Sequence, residues 1–389
     1  MDSIGVNEVI SLQLYKQNLL FTDSQSQPNE DWQAFFKRIG YVQLDSMNVL
    51  LRSQDLFFWS RYPHYRMDDL NELYRKQQVL ECYLFALCLV PSATAAHLDY
   101  HYSLRHRALL DHEHVSSLYR IYEQTHPSIS KYSREFQSDS LPATTANQQE
   151  KWHVSPVRSA LDRLWRAGLI EVSRDANFNK LYRRTARSFY DWQNTAPDDA
   201  LIVHLVNKSF ENIGVVSLKE LKHYFNLPRT AIEKVLHRLV EREIVQEIRV
   251  DHQSERQFVR TADIPLIHAA ACANGERSTL LSPFDNMIRN RERLQRLFGV
   301  DYKLESYIPP EKRKYGYYAL PILVGRDILG VVDLKNERST RTLIVKQLTL
   351  FSGKTNQSTL AHVHDSISRL QSFVGCEQLV YGNTKEVYV

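Results

Sequence analysis

A predicted helix that leads directly into a β-hairpin is the feature that most constrains the fold of this 389-residue chain. Ser155 stands at the capping position, Pro156 at the first helical position and Gly168 at the end of the helix. Two short strand-like runs joined by a turn follow at once. A helix followed by such a hairpin is typical of the recognition helix and wing of a winged helix-turn-helix, so we predict one over residues 150–200.

Basic residues are concentrated on this predicted unit. Residues 151–187 hold nine Lys and Arg against three Asp and Glu, whereas the whole chain is nearly balanced at 49 to 45. A local excess of positive charge on a winged helix predicts contact with the phosphates of DNA. The side chains expected to make these contacts are Arg158 and Arg163 on the helix and Arg174, Lys180, Arg183 and Arg184 on the wing.

The same order of elements recurs in residues 201–275. Ser217 begins a helix, a turn at Pro228 separates it from a second helix, and a hairpin follows. The charges on this second unit are balanced, which leaves DNA contact and simple packing as open alternatives. For residues 1–136 the pattern predicts a winged-helix-like unit with a helical extension. Within this unit we expect one helix that runs through Arg52. Residues 79–90 are expected to form a single buried strand.

The C-terminal part of the chain alternates apolar and polar residues, as strands do. Residues 281–389 therefore predict a β-rich, barrel-like domain with flanking helices. The predicted fold class is α+β, with tandem winged helix-turn-helix units followed by this domain. Its basic loop, formed by Lys312, Arg313 and Lys314 beside Tyr315, is expected to bind DNA phosphates, and a solvated loop is the alternative.

Composition excludes several other classes of protein. With 43% apolar and 24% charged residues, the chain has the composition of a soluble globular protein. No apolar run is as long as a membrane span and no signal peptide is evident, so cytoplasmic localisation without a membrane partner is expected. The four cysteines are scattered, and the histidines from His97 to His114 lack consistent ligand spacing, so we expect neither a metal nor another cofactor.

Gln43 and Asp45 are the residues whose pattern points most directly to chemistry. Apolar and polar residues alternate from Val42 to Asp45, so an extended backbone places both polar side chains on one face. An ionised carboxylate beside an amide can stabilise a developing cation. The alternative is structural, because Asp45 precedes a helix-like run and fits the N-cap position.

Several segments, in the same order along the chain, resemble those of one enzyme family. The segments are Gln43-Leu44-Asp45-Ser46, Arg52-Ser53, Trp59-Ser60-Arg61, Leu281-Ser282-Pro283-Phe284-Asp285, Leu304-Glu305 and Lys312-Arg313-Lys314-Tyr315-Gly316-Tyr317. They are similar to the signature segments of the YcaQ/AlkX family of DNA glycosylases, which carries Gln-x-Asp and is related to the AlkZ enzymes with Gln-x-Gln. The resemblance spans nearly the whole chain.

The resemblance implies a DNA glycosylase that acts on double-stranded DNA with alkylated purines of the N7-alkylguanine type and unhooks interstrand crosslinks. It implies that Asp45 stabilises the oxocarbenium-like sugar and helps to activate water, while Gln43 holds that water or the sugar-phosphate. Arg52 and Arg61 match family positions, where each either contacts phosphate or braces Asp45. No lysine nucleophile motif is evident, so we expect a monofunctional hydrolase that acts as a monomer.

The chain also departs from the family pattern. Phe85-Ala86 replaces a His-Glu pair, and Arg289-Asn290-Arg291 replaces Trp-Asp-Arg. If the missing pair holds substrate, the lesion range or the rate is expected to differ; a structural role for the pair is the alternative. The alternative function is a non-enzymatic winged-helix transcriptional regulator. The pair of Gln43 and Asp45 favours the glycosylase, because a regulator has no need of it.

Overall fold

A computed structural model describes residues 3–20, 30–45, 47–94, 161–162, 164–166, 170–175, 178–184, 199–273, 277–351, 353, 356–382 and 387–388. The chain divides into two compact units, one formed by Met1–Met67 with Leu205–Val389 and the other by Asp68–His204. Helices and strands are mixed throughout, which is the α+β class that the sequence predicts. No helix among these residues is long and apolar enough to cross a membrane.

The described residues in the N-terminal part of the first unit form three short helices and one short strand. In chain order these are α1 (Val6–Lys16), α2 (Trp32–Ile39), β1 (Val42–Gln43) and α3 (Ser53–Trp59). The predicted helix through Arg52 is wrong, because residues 47–52 are not helical and Arg52 is the N-cap of α3. Every residue of α3 is buried, so tertiary packing sets where this helix begins.

Local signals set both ends of α2 and so fix where β1 starts. The Asp31 carboxylate accepts a hydrogen bond from the Ala34 N–H at 2.8 Å. At the other end Gly40 adopts a left-handed backbone conformation with φ of 85°, which a residue with a side chain rarely adopts. The chain therefore turns sharply out of α2 into the extended segment that carries Gln43 and Asp45.

Within the part of the chain that the structure describes, the second unit contains the helix α4 and two β-hairpins. These are α4 (Met67–Arg75), β2 (Val79–Tyr83) paired with β3 (Leu87–Pro91), and β4 (Ile170–Arg174) paired with β5 (Lys180–Arg184). The single strand predicted for residues 79–90 is wrong, because the chain reverses at Phe85 and the two halves pair with each other. The β4–β5 hairpin is the predicted wing, and most of the helix predicted before it lies outside the described residues.

Residues 199–271 form four helices and a small three-stranded sheet, and most of them belong to the first unit. The elements are α5 (Asp199–Ile213), β6 (Val216–Ser217), α6 (Leu218–Phe225), α7 (Arg229–Glu241), β7 (Val245–Ile248), β8 (Gln257–Arg260) and α8 (Ile264–Ala271). The strands pair in the antiparallel order β6-β8-β7. The helices and the hairpin predicted within residues 201–275 are thus present. The tandem winged-helix assignment and the four domain boundaries stay predictions.

The C-terminal part of the first unit is a curled, half-barrel sheet with two helices. It contains β9 (Ser278–Leu280), α9 (Arg291–Phe298), β10 (Ala319–Val324), β11 (Asp327–Glu337), β12 (Thr342–Leu350), α10 (Gln357–Phe373), β13 (Gln378–Tyr381) and β14 (Val387–Tyr388). The strand order is β13-β12-β11-β10-β9, with β14 beside β12. One hydrophobic core joins α1 to α9 and to this sheet through buried residues such as Leu12, Leu294 and Val331.

Candidate active site

Gln43, the last residue of β1, and Asp45, two residues later, lie on one extended segment. Val42 and Leu44 are buried, whereas Gln43 and Asp45 are half-buried, which is the alternation expected of an extended chain with one face toward the core. The Gln43 carbonyl accepts a hydrogen bond from the Ser53 hydroxyl at 3.2 Å, which ties β1 to the first turn of α3. Both polar side chains therefore lie at the boundary between the core and the solvent.

The Asp45 carboxylate is partly desolvated. One of its oxygens accepts a hydrogen bond from the Met47 N–H at 2.7 Å. Burial raises the pKa of Asp45, and this hydrogen bond opposes the shift. The predicted alternative role as a helix N-cap is wrong, because Asp45 bonds within its own loop and α3 begins only at Ser53. A carboxylate with one local hydrogen bond keeps acceptor capacity for a ligand.

Arg61 is a buried structural residue, and its predicted contact with DNA phosphate is wrong. Its side chain is 0% exposed and makes a bidentate salt bridge with Asp285, at 2.8 and 2.9 Å. It also donates to the Gln17 side chain at 2.9 Å. The alternative role, bracing Asp45, is not what its contacts show either. Arg61 instead fastens α3 to the segment that precedes α9.

Arg52 acts on a different carboxylate from the one expected. It is half-buried at the N-cap of α3, and its charge lowers the pKa of Asp55, opposing the larger effect of burial. Burial raises the pKa of Asp55 to about 6, while the Tyr65 hydroxyl donates to it at 2.7 Å. Burial and the Met47 N–H are the causes of the pKa shift of Asp45, so a brace from Arg52 to Asp45 stays a prediction. Contact of Arg52 with phosphate stays a prediction.

The charge of Asp45 acts on a buried tyrosine, Tyr318, that no sequence pattern indicated. The Tyr318 hydroxyl is buried and has no hydrogen-bond partner in the described part of the chain. Burial raises the pKa of Tyr318, and the negative charge of Asp45 raises it further. Ser282 lowers that pKa and so lies beside the ring, although the two hydroxyls do not meet hydrogen-bond geometry.

The basic loop, Lys312 to Tyr315, has some side chains in solvent and others in contact with the protein. Lys312 and Lys314 are exposed, whereas Arg313 donates to the Ile308 carbonyl at 2.8 Å. Tyr315 is buried, and its hydroxyl donates to the Asp301 carbonyl at 3.1 Å. The predicted DNA contact of Tyr315 is therefore wrong, because its ring packs in the core and its hydroxyl is used within the protein. The two lysines stay candidates for phosphate contact.

Two basic residues of the β4–β5 wing, Arg174 and Lys180, contact acidic residues of the same unit. Arg174 makes two hydrogen bonds of 2.6 Å to the buried Glu81 and is only 12% exposed, so its predicted contact with phosphate is wrong. Lys180 lies 3.4 Å from Asp162 and over the ring of Trp165 at 4.2 Å, an arrangement that leaves it a quarter exposed. For this residue phosphate contact stays a prediction.

The other predicted basic contacts fall largely beyond the described residues. Arg158 and Arg163 lie outside them, as do the side chains of Arg183 and Arg184, whose backbone forms β5. The same is true of the histidines from His97 to His114. In the part of the chain that is described, no three His, Cys, Asp or Glu side chains group as metal ligands would.

Comparisons with known proteins support the resemblance seen in the sequence. The profile of a family described as DNA glycosylase AlkZ-like matches residues 36–373. The fold is similar to that of the Streptomyces sahachiroi DNA glycosylase AlkZ, with a TM-score of 0.63, 15% sequence identity, and coverage of 99% of this chain and 100% of that one. Because the family match extends over most of the sequence, this chain belongs to the AlkZ-like family of DNA glycosylases, enzymes of DNA repair.

Proposed function

We propose that this glycosylase hydrolyses the N-glycosidic bond of N7-alkylguanine-type lesions in double-stranded DNA and unhooks interstrand crosslinks made through such bases. The observation that carries the proposal is the half-buried Asp45 carboxylate, which stands next to Gln43 at the edge of the core with one hydrogen bond to its own loop. A partly desolvated charge interacts more strongly with a developing cation than a fully hydrated one does.

The proposed reaction proceeds through a sugar with oxocarbenium character. The bond between C1′ and the base nitrogen breaks, and its electron pair leaves with the base. The Asp45 carboxylate stabilises the positive charge that develops on the sugar. A water molecule held by Gln43 then adds to C1′ and gives its proton to Asp45, which returns it to solvent. The products are a free base and an abasic site.

The class of lesion follows from the single carboxylic acid in this arrangement. A neutral purine needs protonation by a second acid as it departs. An N7-alkylguanine is already cationic and leaves as a neutral base, so one carboxylate with one amide suffices. Asp55 does not supply the second acid in our proposal, because it is buried and accepts a hydrogen bond from Tyr65.

Binding of the duplex is proposed to rely on basic residues of two segments. Lys312 and Lys314 lie on the loop before β10, and Arg183 and Arg184 lie on β5. Such contacts with phosphate supply affinity that does not depend on sequence. We propose that the enzyme binds as a monomer. The alternative of a non-enzymatic regulator loses its support, because the family that matches the chain consists of glycosylases.

Two labelled duplexes test this proposal, one with a single N7-methylguanine and one with an interstrand crosslink between alkylated purines. We expect strand breaks in the first only after heat or alkali, and separation of the strands of the second on a denaturing gel. Breaks that form without heat or alkali would contradict a monofunctional hydrolase. Intact crosslinks beside an excised methylguanine would restrict the activity to small lesions.

A further inference from the structure

We propose that Tyr307 stacks on an unpaired base of the DNA, and that the enzyme therefore binds DNA with unpaired bases more tightly than fully paired DNA. The inference extends the binding of DNA by the basic loop and rests on that part of the proposed function. Tyr307 is 89% exposed, whereas Ile244, the next most exposed large hydrophobic side chain of the described residues, is 45% exposed. Within those residues, the ring has no aromatic, cationic or hydrogen-bond partner.

A tight turn from Glu305 to Ile308 presents this ring. The Ile308 N–H donates to the Glu305 carbonyl at 2.9 Å, which closes the turn. The Glu305 side chain is buried and accepts a hydrogen bond from the Tyr315 N–H at 2.7 Å. Two prolines follow the turn, and each fixes its own φ angle. The backbone that carries Tyr307 thus has little freedom, which lowers the entropy lost when the ring binds a ligand.

Cations surround the turn. Residues 303–314 carry four Lys and Arg against two Glu, and one of these carboxylates, Glu305, is buried. The Arg313 guanidinium reaches back to the turn and donates to the Ile308 carbonyl at 2.8 Å. The two lysines on either side of Arg313 are exposed. The exposed ring of Tyr307 therefore lies one residue from the point where the basic loop contacts the turn.

An aromatic ring beside cations is the combination that binds unpaired nucleic acid. The cations attract phosphates, and a ring can stack on the face of any base. In a paired duplex the neighbouring base pairs cover these faces, so a ring finds a free face only where bases are unstacked. A single exposed aromatic side chain is common and needs no function by itself. The closed turn and the adjacent cations distinguish Tyr307 from such a residue.

The basic loop and the Asp45 loop contact one β-hairpin at different places. The Gln347 side chain on β12 donates to the Lys314 carbonyl at 2.8 Å, and Gln347 is paired with Asp333 on β11. Arg338, five residues after Asp333, donates to a carbonyl of the loop after Asp45 at 3.4 Å. Five residues of extended strand span about 17 Å. The ring is therefore expected to add to DNA binding and to take no part in the chemical step.

Binding of undamaged DNA tests the inference. The probes are two duplexes closed at both ends by ethylene glycol linkers, so that neither has an open end or an unpaired loop. One is fully paired, and the other has a short run of unpaired thymines in one strand. We expect the wild type to bind the second about tenfold more tightly or better, as measured by fluorescence anisotropy.

Three variants assign the preference to the ring. Tyr307→Ala is expected to lose the preference, because its affinity falls for the duplex with unpaired thymines and not for the paired one. Tyr307→Phe is expected to keep it, since the ring remains and only the hydroxyl is lost. Tyr381→Ala is the matched control, because Tyr381 on β13 is 43% exposed and lies outside the proposed DNA contacts. This control should keep the preference.

Two results would overturn the role of Tyr307. One is a wild type that binds both duplexes equally, or a Tyr307→Ala variant that keeps the wild-type preference. The other is a Tyr307→Phe variant that behaves like Tyr307→Ala, because the hydroxyl and not the ring would then make the contact. The probes contain no lesion, so a failure to excise N7-methylguanine would overturn the proposed function and leave the inference about Tyr307 standing.

Discussion

Arg61 and Asp285, 224 residues apart in the sequence, form a fully buried bidentate salt bridge with N–O distances of 2.8 and 2.9 Å. The pair joins α3, which is tied to Gln43, to the segment that packs on Tyr318. One ion pair in the interior thus links two parts of the chain that are far apart in the sequence. Its loss affects both the stability of the fold and the alignment of the site.

Asp285→Asn is predicted to destabilise the protein by about 3 to 5 kcal/mol, because it leaves the Arg61 charge buried without its counter-ion. Urea unfolding measures the change in free energy. The control is Glu233→Gln, which breaks the exposed pair with Arg229 and should cost less than about 1 kcal/mol. Similar losses of unfolding free energy in the two variants would show that the buried pair stabilises the fold no more than the exposed one.

Gln54→Met is predicted to stabilise the protein by about 1 to 3 kcal/mol, because both polar atoms of the Gln54 amide are buried without a hydrogen-bond partner in the described chain. Gln13→Met is the matched control. The Gln13 oxygen accepts a hydrogen bond from Arg293 at 2.9 Å, so its replacement should destabilise. Loss of stability in both variants would mean that the Gln54 amide has a partner in solution.

Asp55→Asn is predicted to gain stability relative to the wild type as the pH rises. The folded-state pKa of Asp55, raised to about 6, exceeds its value of 3.8 in the unfolded chain. The folded state therefore binds more protons between these values, and the wild type loses stability as the pH rises through this window. Asn has no such ionisation, so the variant should gain about 2 kcal/mol relative to wild type between pH 4 and pH 7. Equal pH dependence in urea unfolding would contradict the raised pKa.

Replacing Lys312 and Lys314 together by Gln is predicted to weaken DNA binding equally for all sequences. Each lost phosphate contact should reduce the slope of log affinity against log salt by about 0.9. The control is Lys37→Gln on α2, an exposed lysine at which we propose no contact. A salt slope that stays at the wild-type value in the double variant would place the duplex elsewhere on the protein.

Local sequence patterns were sufficient to predict several parts of the site. The alternation from Val42 to Asp45 predicted which side chains face outward, since a period of two depends only on an extended backbone. The β4–β5 hairpin was predicted for the same kind of reason. It depends on residues within a few positions of one another.

Two of the errors at site residues concern partners that lie far away in the sequence. Arg61 was expected to contact phosphate or brace Asp45 because it matches a family position, and Arg174 was expected on DNA as part of a basic wing. Asp285 and Glu81 instead neutralise them in the interior, 224 and 93 residues away. Nothing near either arginine indicates that partner. Tyr318 was overlooked for a related reason, because its neighbours Tyr315 and Tyr317 share its local pattern and only the packing separates their roles.

The rate of base excision by Asp45→Asn tests the central claim most directly. Single-turnover excision of N7-methylguanine from a duplex is compared among wild type, Asp45→Asn and the control Asp301→Asn, whose side chain is exposed. If Asp45 stabilises the cationic sugar, Asp45→Asn loses about a hundredfold or more in rate while DNA affinity and the control rate stay at wild-type values. An Asp45→Asn variant that excises the base as fast as wild type would contradict the account.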